Sequence, residues 1–491
     1  MRLNIYWNSL IILSLCVGLI LGCKILPWLY KRGPVGKDAT DERGKEAKQF
    51  LWGFLSVYLM VMGSEWLQGP YLWALLHDEK HLSSETVAIL YATGYCAAAI
   101  SAPFTGYLAD KCGRRGACIT FCVIHSASSF SVSFDRIEIL AIGRVLGGVG
   151  ITLLWTVFES WMISEHRRQN LEDSPIPLSS MFGIMTIANC ITAMCAGLLS
   201  HCIVWALGSK THPFMLGILL DTLAAVLMMR SWNENRGIQA KLDAEAGLGS
   251  REPSRSWRQE VADSLRDWKV LTLSLISCCF EGTIFLFRFY WPGTLQKAHN
   301  HSHGVGKDDD IIPHGVIFAN LMATMVLGAL LFGTILERSA TLLNSGLSTF
   351  LLSAALFFAG ASFLTAAYAQ TEAQLFCSFL LLEACNGLYI PSMAFQRGQI
   401  VSDSGRASVY GLMNIPLFLF VILALLSTNG DGEEYQNVIF IVCAAPLMLA
   451  AVLSCVSFLD IPPRNGFSEV SSSEIAESEC ARNKDESDLQ Y

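Results

Sequence analysis

The chain is a succession of apolar stretches separated by short polar segments. A helix needs about 20 apolar residues to cross a bilayer, and we predict thirteen such spans. They lie near residues 6–29, 50–74, 85–108, 116–134, 138–163, 179–204, 213–230, 270–293, 313–335, 341–366, 373–396, 407–428 and 436–459. Helices are favoured over a membrane barrel because these stretches do not alternate between apolar and polar residues.

The composition supports a protein that lives in a lipid bilayer. Hydrophobic residues make up 52% of the chain and charged residues 15%, against roughly 25% charged residues in soluble domains. Most of the 16 cysteines fall inside the spans, so we interpret them as packing residues and not as a disulfide framework. No catalytic constellation or nucleotide-binding motif stands out. We expect a monomer with no enzymatic activity, cofactor, metal or nucleic-acid partner.

A charged break separates the chain after the first span into two sets of six spans. We predict an extra N-terminal transmembrane helix at 1–30, a basic segment at 31–49, a six-helix bundle at 50–230, a linker at 231–268, a second bundle at 269–460 and a tail at 461–491. The tail is rich in Ser and Glu and should be disordered. A cleaved signal peptide is the alternative for the first span, but Arg2 is its single basic flank and no small-residue cleavage site follows.

Basic residues are distributed unequally on the two sides of the spans. The side that carries segments 31–49 and 231–268 also carries Lys111, Arg114, Arg115, Arg167, Arg168, Arg338, Arg397 and Arg406. The other side carries Arg2, Lys80, Arg136, Lys210, Lys297 and Lys307. Since positively charged loops stay in the cytoplasm, we predict an external N-terminus and a cytoplasmic C-terminus.

The sharpest motif is GYLADKCGRR at 106–115, between two spans of the first set. Its glycines permit tight turns and its acid can pair with basic groups or with a helix N-terminus, so we predict a gating loop. The residues are Gly106, Asp110, Lys111, Gly113, Arg114 and Arg115, with a weaker copy at Gly333, Glu337 and Arg338. The motif resembles the G-x-L-A-D-K/R-x-G-R-R signature of major facilitator superfamily transporters. That resemblance implies an all-α fold of two six-helix bundles, here with one extra helix in front.

A second motif, RVLGGVG at 144–150, is similar to the R-x-x-x-G-x-G signature of the same superfamily. An arginine inside a span is costly and by default functional, whereas its adjacent glycines let a neighbouring helix approach closely. The alternative is that Arg144 extends its side chain to the nearby membrane surface.

Three further segments make the resemblance specific to one subfamily. Residues 65–72 (EWLQGPYL), 158–166 (FESWMISEH) and 382–393 (LEACNGLYIPSM) together resemble the molybdate-anion transporter subfamily. The resemblance covers roughly residues 50–460. It implies high-affinity uptake of molybdate, a tetrahedral dianion, across the plasma membrane by alternating access.

Several polar residues inside the spans are candidates for substrate binding or coupling, because unpaired charges cannot face lipid. They are Glu65, Gln68, Arg144, Glu159, Glu281, Arg288, Glu383, Asn386 and Tyr389, with Asp221, Asn320 and Asn414 as further candidates. Arg144 and Arg288 are the arginines placed deeply enough to meet a dianion, which favours planar guanidinium donors. The buried acids outnumber them, so the acids could instead be proton carriers or members of structural ion pairs.

Other cargoes and another role are compatible with the sequence. The cargo could be sulfate, another anion or an organic solute, because a fold does not determine a substrate. The chain could also be a transport-inactive membrane receptor or scaffold. An outer segment with His299, His301, His303 and three aspartates at 308–310 has metal-ligand residue types, but we interpret it as a solvated polar loop.

Overall fold

The computed structural model describes residues 5–30, 39–171, 174, 176, 178–235, 266–303, 312–338, 345–400, 406–427 and 433–458. Within these ranges the chain is helical and contains no strand. The long helices are α1 (Ile5–Tyr30), α2 (Ala39–Gln68), α3 (Ser84–Cys112), α4 (Arg114–Ser131), α5 (Ile137–Arg168), α6 (Leu178–Leu207), α7 (His212–Ser231), α8 (Trp268–His303), α9 (His314–Arg338), α10 (Ser345–Ala367), α11 (Glu372–Ile400), α12 (Arg406–Leu426) and α13 (Glu433–Phe458).

Eleven of the described helices are long and apolar enough to cross a membrane, judged by length and composition. Helix α4 is not among them, and its serines and histidine lower its mean hydropathy. The described apolar part of α12 is the shorter segment Pro416–Leu426. The predicted all-helical membrane fold is therefore confirmed.

Several helices extend past the apolar stretch that predicted them. Helix α2 begins at Ala39 instead of residue 50, α5 continues to Arg168, and α8 continues to His303. Glu, Lys and Ala favour helix whether or not they lie in lipid, so hydropathy reports the membrane part of a helix and not its end. Conversely, α2 stops at Gln68, and the chain continues through a short helix, Leu72–Ala74, and a π-helical turn, Leu75–Glu79.

The helices form two bundles with an interface between them. In the first bundle α3 and α4 pack on α5, and α2 packs on α6 and α7; in the second, α11 packs on α9 and α10, and α13 packs on α10. The most extensive contacts between the bundles are those of α6 on α9 and of α3 on α12. We call these the α6–α9 seam and the α3–α12 seam.

Glycines allow the closest helix crossings. A Cβ atom added at Gly148 in α5 would collide with the carbonyl oxygen of Gly94 in α3, and one added at Gly387 in α11 would collide with that of Met325 in α9. Gly315 meets Gly197 in the same way across the α6–α9 seam. Close approach at small residues is a common means of helix association in lipid.

Helix α1 lies outside the two bundles and packs mainly on α9. The side-chain amide of Asn320 donates to the carbonyl oxygen of Tyr6 at 2.9 Å, and the Ser9 hydroxyl donates to Asn320 Oδ1 at 2.8 Å. The Tyr6 hydroxyl donates to Glu372, which also lies 3.1 Å from His299 Nδ1. The Asn320 side chain, which we predicted as a candidate substrate amide, therefore binds the extra helix.

The two ends of the molecule differ. The end that carries Gly113 is here called the signature end. At the opposite end Trp73 packs on Gly293, and Trp66 lies 6.0 Å from Phe318 between ring centroids, so the first bundle contacts the second. The His314 ring of the second bundle lies 6.0 Å from the Tyr71 ring of the first. These contacts close the opposite end of the interface between the bundles.

The crossing at Gly148 yields a first prediction. Gly148→Ala should lower the stability of the folded protein by about 1–3 kcal/mol, because the added methyl group must push α3 and α5 apart. Gly183→Ala is the matched control, since a Cβ atom there meets nothing within 4 Å. Thermal melting in detergent, followed by tryptophan fluorescence, measures both variants. Equal melting temperatures would contradict the tight crossing.

Candidate transport site

Two arginines from different bundles point into the interface. Arg144 of α5 and Arg288 of α8 are half-buried, and the charges of both act on the Glu65 carboxylate and the Tyr95 hydroxyl. Neither guanidinium forms an ion pair with any side chain that the structure describes. Arg144 Nη2 lies 3.4 Å from the Ser128 hydroxyl. Arg144 therefore faces the interface, and the alternative that it reaches for the membrane surface is not supported.

Aromatic rings from both bundles form the walls around these arginines. Tyr95 of α3 lies 5.1 Å from Phe285 of α8 and 6.5 Å from Phe418 of α12 between ring centroids. Tyr91 lies 5.1 Å from Phe289. The Arg288 guanidinium sits 5.8 Å from the centre of the Phe285 ring, within cation–π range. The site thus combines free positive charge with aromatic walls.

Glu65 belongs to a row of three titratable side chains. His125 Nε2 lies 3.0 Å from Glu65 Oε2, and His125 Nδ1 lies 2.7 Å from Asp221 Oδ2. The Glu65 side chain is 29% exposed, whereas those of His125 and Asp221 are 4% and 0% exposed. Glu65 lies in the last turn of α2, closer to the helix end than the sequence suggested. We call these residues the Glu65–His125–Asp221 row.

Hydrogen bonds position this row. Gln68 Nε2 lies 3.0 Å from His125 Nε2 and donates to Ser129 at 2.8 Å. The Ser64 hydroxyl donates to the Gly217 carbonyl oxygen at 3.0 Å and lies 3.2 Å from His125 Nδ1. Gln68, predicted as a candidate for substrate binding or coupling, thus contacts the histidine of the row.

His125 was not among the residues predicted for the site. A histidine in α4 is an unremarkable residue until its neighbours in space are known, and those neighbours come from α2 and α7. The available signal was that three apolar spans of one bundle each contain a titratable residue, and intramembrane titratable groups tend to find one another.

A second ion pair lies in the other bundle. Arg397 Nη2 lies 2.6 Å from Glu281 Oε1, which also accepts hydrogen bonds from Ser277 at 2.8 Å and Tyr389 at 3.1 Å. Glu281 therefore pairs with an arginine of α11 and not with Arg288, seven residues further along its own helix. The sequence places Arg397 among the basic residues of the cytoplasmic side, so its pairing with Glu281 was not predicted.

The remaining candidates occupy different environments. Glu383 is buried, accepts a hydrogen bond from Asn386 Nδ2 at 2.9 Å, and experiences the charge of Arg288. Glu159 is exposed, and its charge acts on the buried Tyr58 hydroxyl. Glu383 thus joins the arginine site and Glu159 lies apart from it. The side chain of Asn414 is outside the described residues.

The signature motif forms the end of one helix and the start of the next. Helix α3 runs to Cys112 and α4 begins at Arg114, so a single residue, Gly113, with φ of +119°, connects them. Gly106 and Lys111 lie in the last turns of α3. Gly333 lies correspondingly near the end of α9. The side chains of Asp110, Glu337 and Arg338 are outside the described set.

An acid from a different segment caps the helix that follows the motif. The Glu234 carboxylate accepts hydrogen bonds from the backbone N–H groups of Arg115 at 2.9 Å and Gly116 at 3.2 Å. The φ of +119° at Gly113 is a conformation that residues with a side chain rarely adopt, so the position favours glycine. Arg114 donates to the Ser160 carbonyl oxygen at 2.9 Å. The motif therefore ties α4 to α5 and to the segment after α7.

At the opposite end, charged side chains link two connecting segments of the first bundle. Asp78 lies 3.0 Å from His77 Nδ1 and 3.5 Å from Lys210 Nζ. Burial alone would raise the pKa of Asp78, but the hydrogen bond with His77 and the charge of Lys210 outweigh it and hold that pKa below its usual value. These pairs therefore persist at neutral pH and are lost as the pH falls through the depressed pKa.

The histidine-bearing segment differs from the solvated loop that we predicted. Helix α8 continues through it to His303, and His299 is buried against Glu372. Among the residues that the structure describes, no group of three or more metal-ligating side chains forms. The three aspartates at 308–310 lie outside those residues.

Comparison with known proteins identifies the relatives of the chain. A family model described as sugar transporters with 12 TM matches residues 14–379. The molybdate-anion transporter of Takifugu rubripes is 29% identical over 490 residues, covering 94% of this chain and 96% of the relative. That of Danio rerio is 31% identical over 440 residues, covering 83% and 86%. The crystal structure of an auto-inhibited POT family peptide transporter has a TM-score of 0.65 at 12% identity, covers 85% of this chain and 98% of its own, and supports the fold.

The cap at Glu234 yields a second prediction. Glu234→Ala should lower the free energy of unfolding by about 0.5–2 kcal/mol, because it leaves the first N–H groups of α4 without their acceptor. Glu46→Ala, at an exposed position of α2, is the control. Thermal melting of the purified variants tests the difference. A Glu234 variant as stable as the Glu46 variant would show that the carboxylate is dispensable.

Proposed function

The chain belongs to the molybdate-anion transporter family of the major facilitator superfamily, and from that premise we propose that it carries molybdate, or a closely related tetrahedral oxyanion, across the plasma membrane. It is a multi-pass membrane transporter. In this proposal the two bundles rock about the arginine site by alternating access. The signature end faces the cytoplasm, as does the C-terminus, because the basic residues concentrate there.

The two unpaired guanidinium groups are the observation that carries this proposal. A tetrahedral dianion offers oxygen atoms in several directions, and planar guanidinium groups bind such oxygens with paired donors. One arginine comes from each bundle, so an anion held between Arg144 and Arg288 bridges the two moving halves. The hydroxyls of Tyr91 and Tyr95, beside Arg144, are further donors for the anion.

The closure at the opposite end supports one direction of access. Trp73 and Gly293 seal the interface beyond Arg288, five residues before Gly293 on α8. The site is therefore separated from the opposite end by a packed layer. In the orientation proposed here, this arrangement corresponds to the conformation that releases its cargo toward the cytoplasm.

Uptake of a dianion requires a source of energy. Each negative charge moved into a cell works against about 2.3 kcal/mol per 100 mV of membrane potential, and a dianion against roughly twice that. The sequence contains no nucleotide-binding motif that would supply ATP energy. Protons are the coupling ion that the buried acids favour, and we include proton coupling in the proposal.

An organic solute is the second candidate cargo. The aromatic walls formed by Tyr95, Phe285 and Phe418 present flat apolar surfaces that a purely inorganic ion does not need. The matching family model also carries the description of sugar transporters. Competition between cargo classes separates this candidate from the oxyanion.

Uptake measurements test the cargo directly. Cells that express the chain should accumulate labelled molybdate above cells without it, and unlabelled molybdate should suppress the signal more strongly than sulfate or phosphate. Organic anions and sugars should compete weakly, because they do not present a tetrahedron of oxygens to two guanidinium groups. Strong competition by an organic solute with no molybdate signal would favour the second candidate.

The two arginines provide a sharper prediction. Arg144→Gln and Arg288→Gln should each raise the KM for oxyanion uptake about 10–100-fold, since a hydrogen bond to a charged group contributes about 1.5–3 kcal/mol. Arg136→Gln, an exposed arginine just before α5, is the control. Surface biotinylation confirms equal amounts of each variant. Wild-type KM in both site variants would remove these arginines from the substrate site.

A further inference from the structure

The Glu65–His125–Asp221 row is built to accept more than one protonation state. When His125 Nε2 carries a proton, the Glu65 carboxylate at 3.0 Å accepts it; when it does not, the Gln68 amide nitrogen at 3.0 Å can donate to the bare nitrogen. On the other side, Asp221 at 2.7 Å accepts the Nδ1 proton in both cases. A ring nitrogen with an acceptor and a donor at equal distance is satisfied either way.

The charge and the burial of the row indicate that it can take up one more proton. Two carboxylates and one imidazolium carry a net charge of about −1 inside the membrane, where uncompensated charge is costly. Asp221 is 0% exposed and its Oδ1 atom has no hydrogen-bond partner among the described residues. One added proton would make the row neutral. Water can reach the row at Glu65, its most exposed member.

The two arginines of the proposed anion site also act on the row. In the absence of an anion, Arg144 and Arg288 act electrostatically on the Glu65 carboxylate. A dianion that binds the two guanidinium groups offsets their positive charge at this carboxylate. Glu65 then faces a neighbouring negative charge, which favours its protonated form.

We propose that the Glu65–His125–Asp221 row is the proton-binding site of this transporter, and that substrate anion and Glu65 carboxylate compete for Arg144 and Arg288. This inference rests on the proposed function and adds the coupling site to it. Linkage is reciprocal, so an anion that promotes protonation is itself bound more tightly when the row is protonated. Proton and anion therefore travel in the same direction.

The proton balance of a cycle is simple. On the side where the anion enters, one proton from water adds to the row, whose charge changes from −1 to 0, with Glu65 as the group exposed to water. On the other side the anion leaves, the positive charge of the two arginines again acts on Glu65, and the same proton returns to water. His125 keeps its Nδ1 proton toward Asp221 throughout.

Other groups around the row set the background for its titration. The charged or titratable side chains that act on its members are Arg144 from α5, Arg288 from α8, Tyr95 from α3 and Cys122 from α4. The two arginines are the positively charged ones, so occupation of the guanidinium groups is the event that changes the field at Glu65.

The test compares two activities of the purified protein in liposomes. Exchange of labelled for unlabelled molybdate at equal pH requires no net proton movement. Net accumulation driven by a pH gradient requires it, and each pH unit should change the wild-type accumulation ratio about tenfold per coupled proton. For Glu65→Gln and His125→Asn, the ratio of gradient-driven accumulation to exchange should fall at least about tenfold, and the pH dependence of KM should flatten.

Glu372→Gln is the matched control, because Glu372 is also a partly buried acid beside a histidine, but it lies in the first turn of α11 at the opposite end. It should show the wild-type response to the pH gradient. A wild-type response in Glu65→Gln would overturn this inference alone. Net accumulation by the wild-type protein that ignores pH gradients would overturn this inference and the proton coupling, but not the oxyanion as cargo. A wild-type protein that exchanges no oxyanion would overturn the proposed function together with it.

Discussion

A charged side chain within a bilayer must find either an opposite charge or a water-filled cavity, and that constraint organises the interior of this protein. Glu281 finds Arg397, and Glu65 and Asp221 find His125. Once these pairs are formed, Arg144 and Arg288 are left without an ion-pair partner among the described residues. Two positive charges from different bundles thus lie at the interface, near the buried Glu383 and the Glu65–His125–Asp221 row.

This arrangement suits movement between the bundles, because most of the helix–helix contacts lie within a bundle and fewer lie between the two. Crossings such as Gly148 on Gly94 hold the helices of a bundle at backbone distance, so a bundle can move as one body. The free arginines lie on different bundles, and the Glu65–His125–Asp221 row lies wholly within the first. A movement between the bundles therefore changes the spacing of the arginines without breaking the row.

Much of the fold follows from sequence because hydropathy and glycine motifs are local signals. The helices and the grouping into one plus six plus six could be predicted in this way, whereas the roles of Arg144 and Arg288 in transport stay predictions. His125 could not, because its partners Glu65 and Asp221 lie 60 and 96 residues away along the chain, by their numbering. Arg397 sits near a helix end, where a basic residue is typical of a cytoplasmic surface, and its partner on α8 became evident from the packing alone. The membrane orientation and the domain boundaries stay predictions.

Helix α1 covers the two seams unequally. Its Val17 packs with Cys190 of α6 and Val326 of α9, so it lies against the α6–α9 seam from outside, while its hydrogen bonds go to the second bundle through Asn320 and Glu372. Helix α1 therefore borders the α6–α9 seam, and among the described residues no helix takes that place at the α3–α12 seam. In the proposed rocking motion, α1 would move with the second bundle, to which its hydrogen bonds attach it, so the added helix enlarges that bundle.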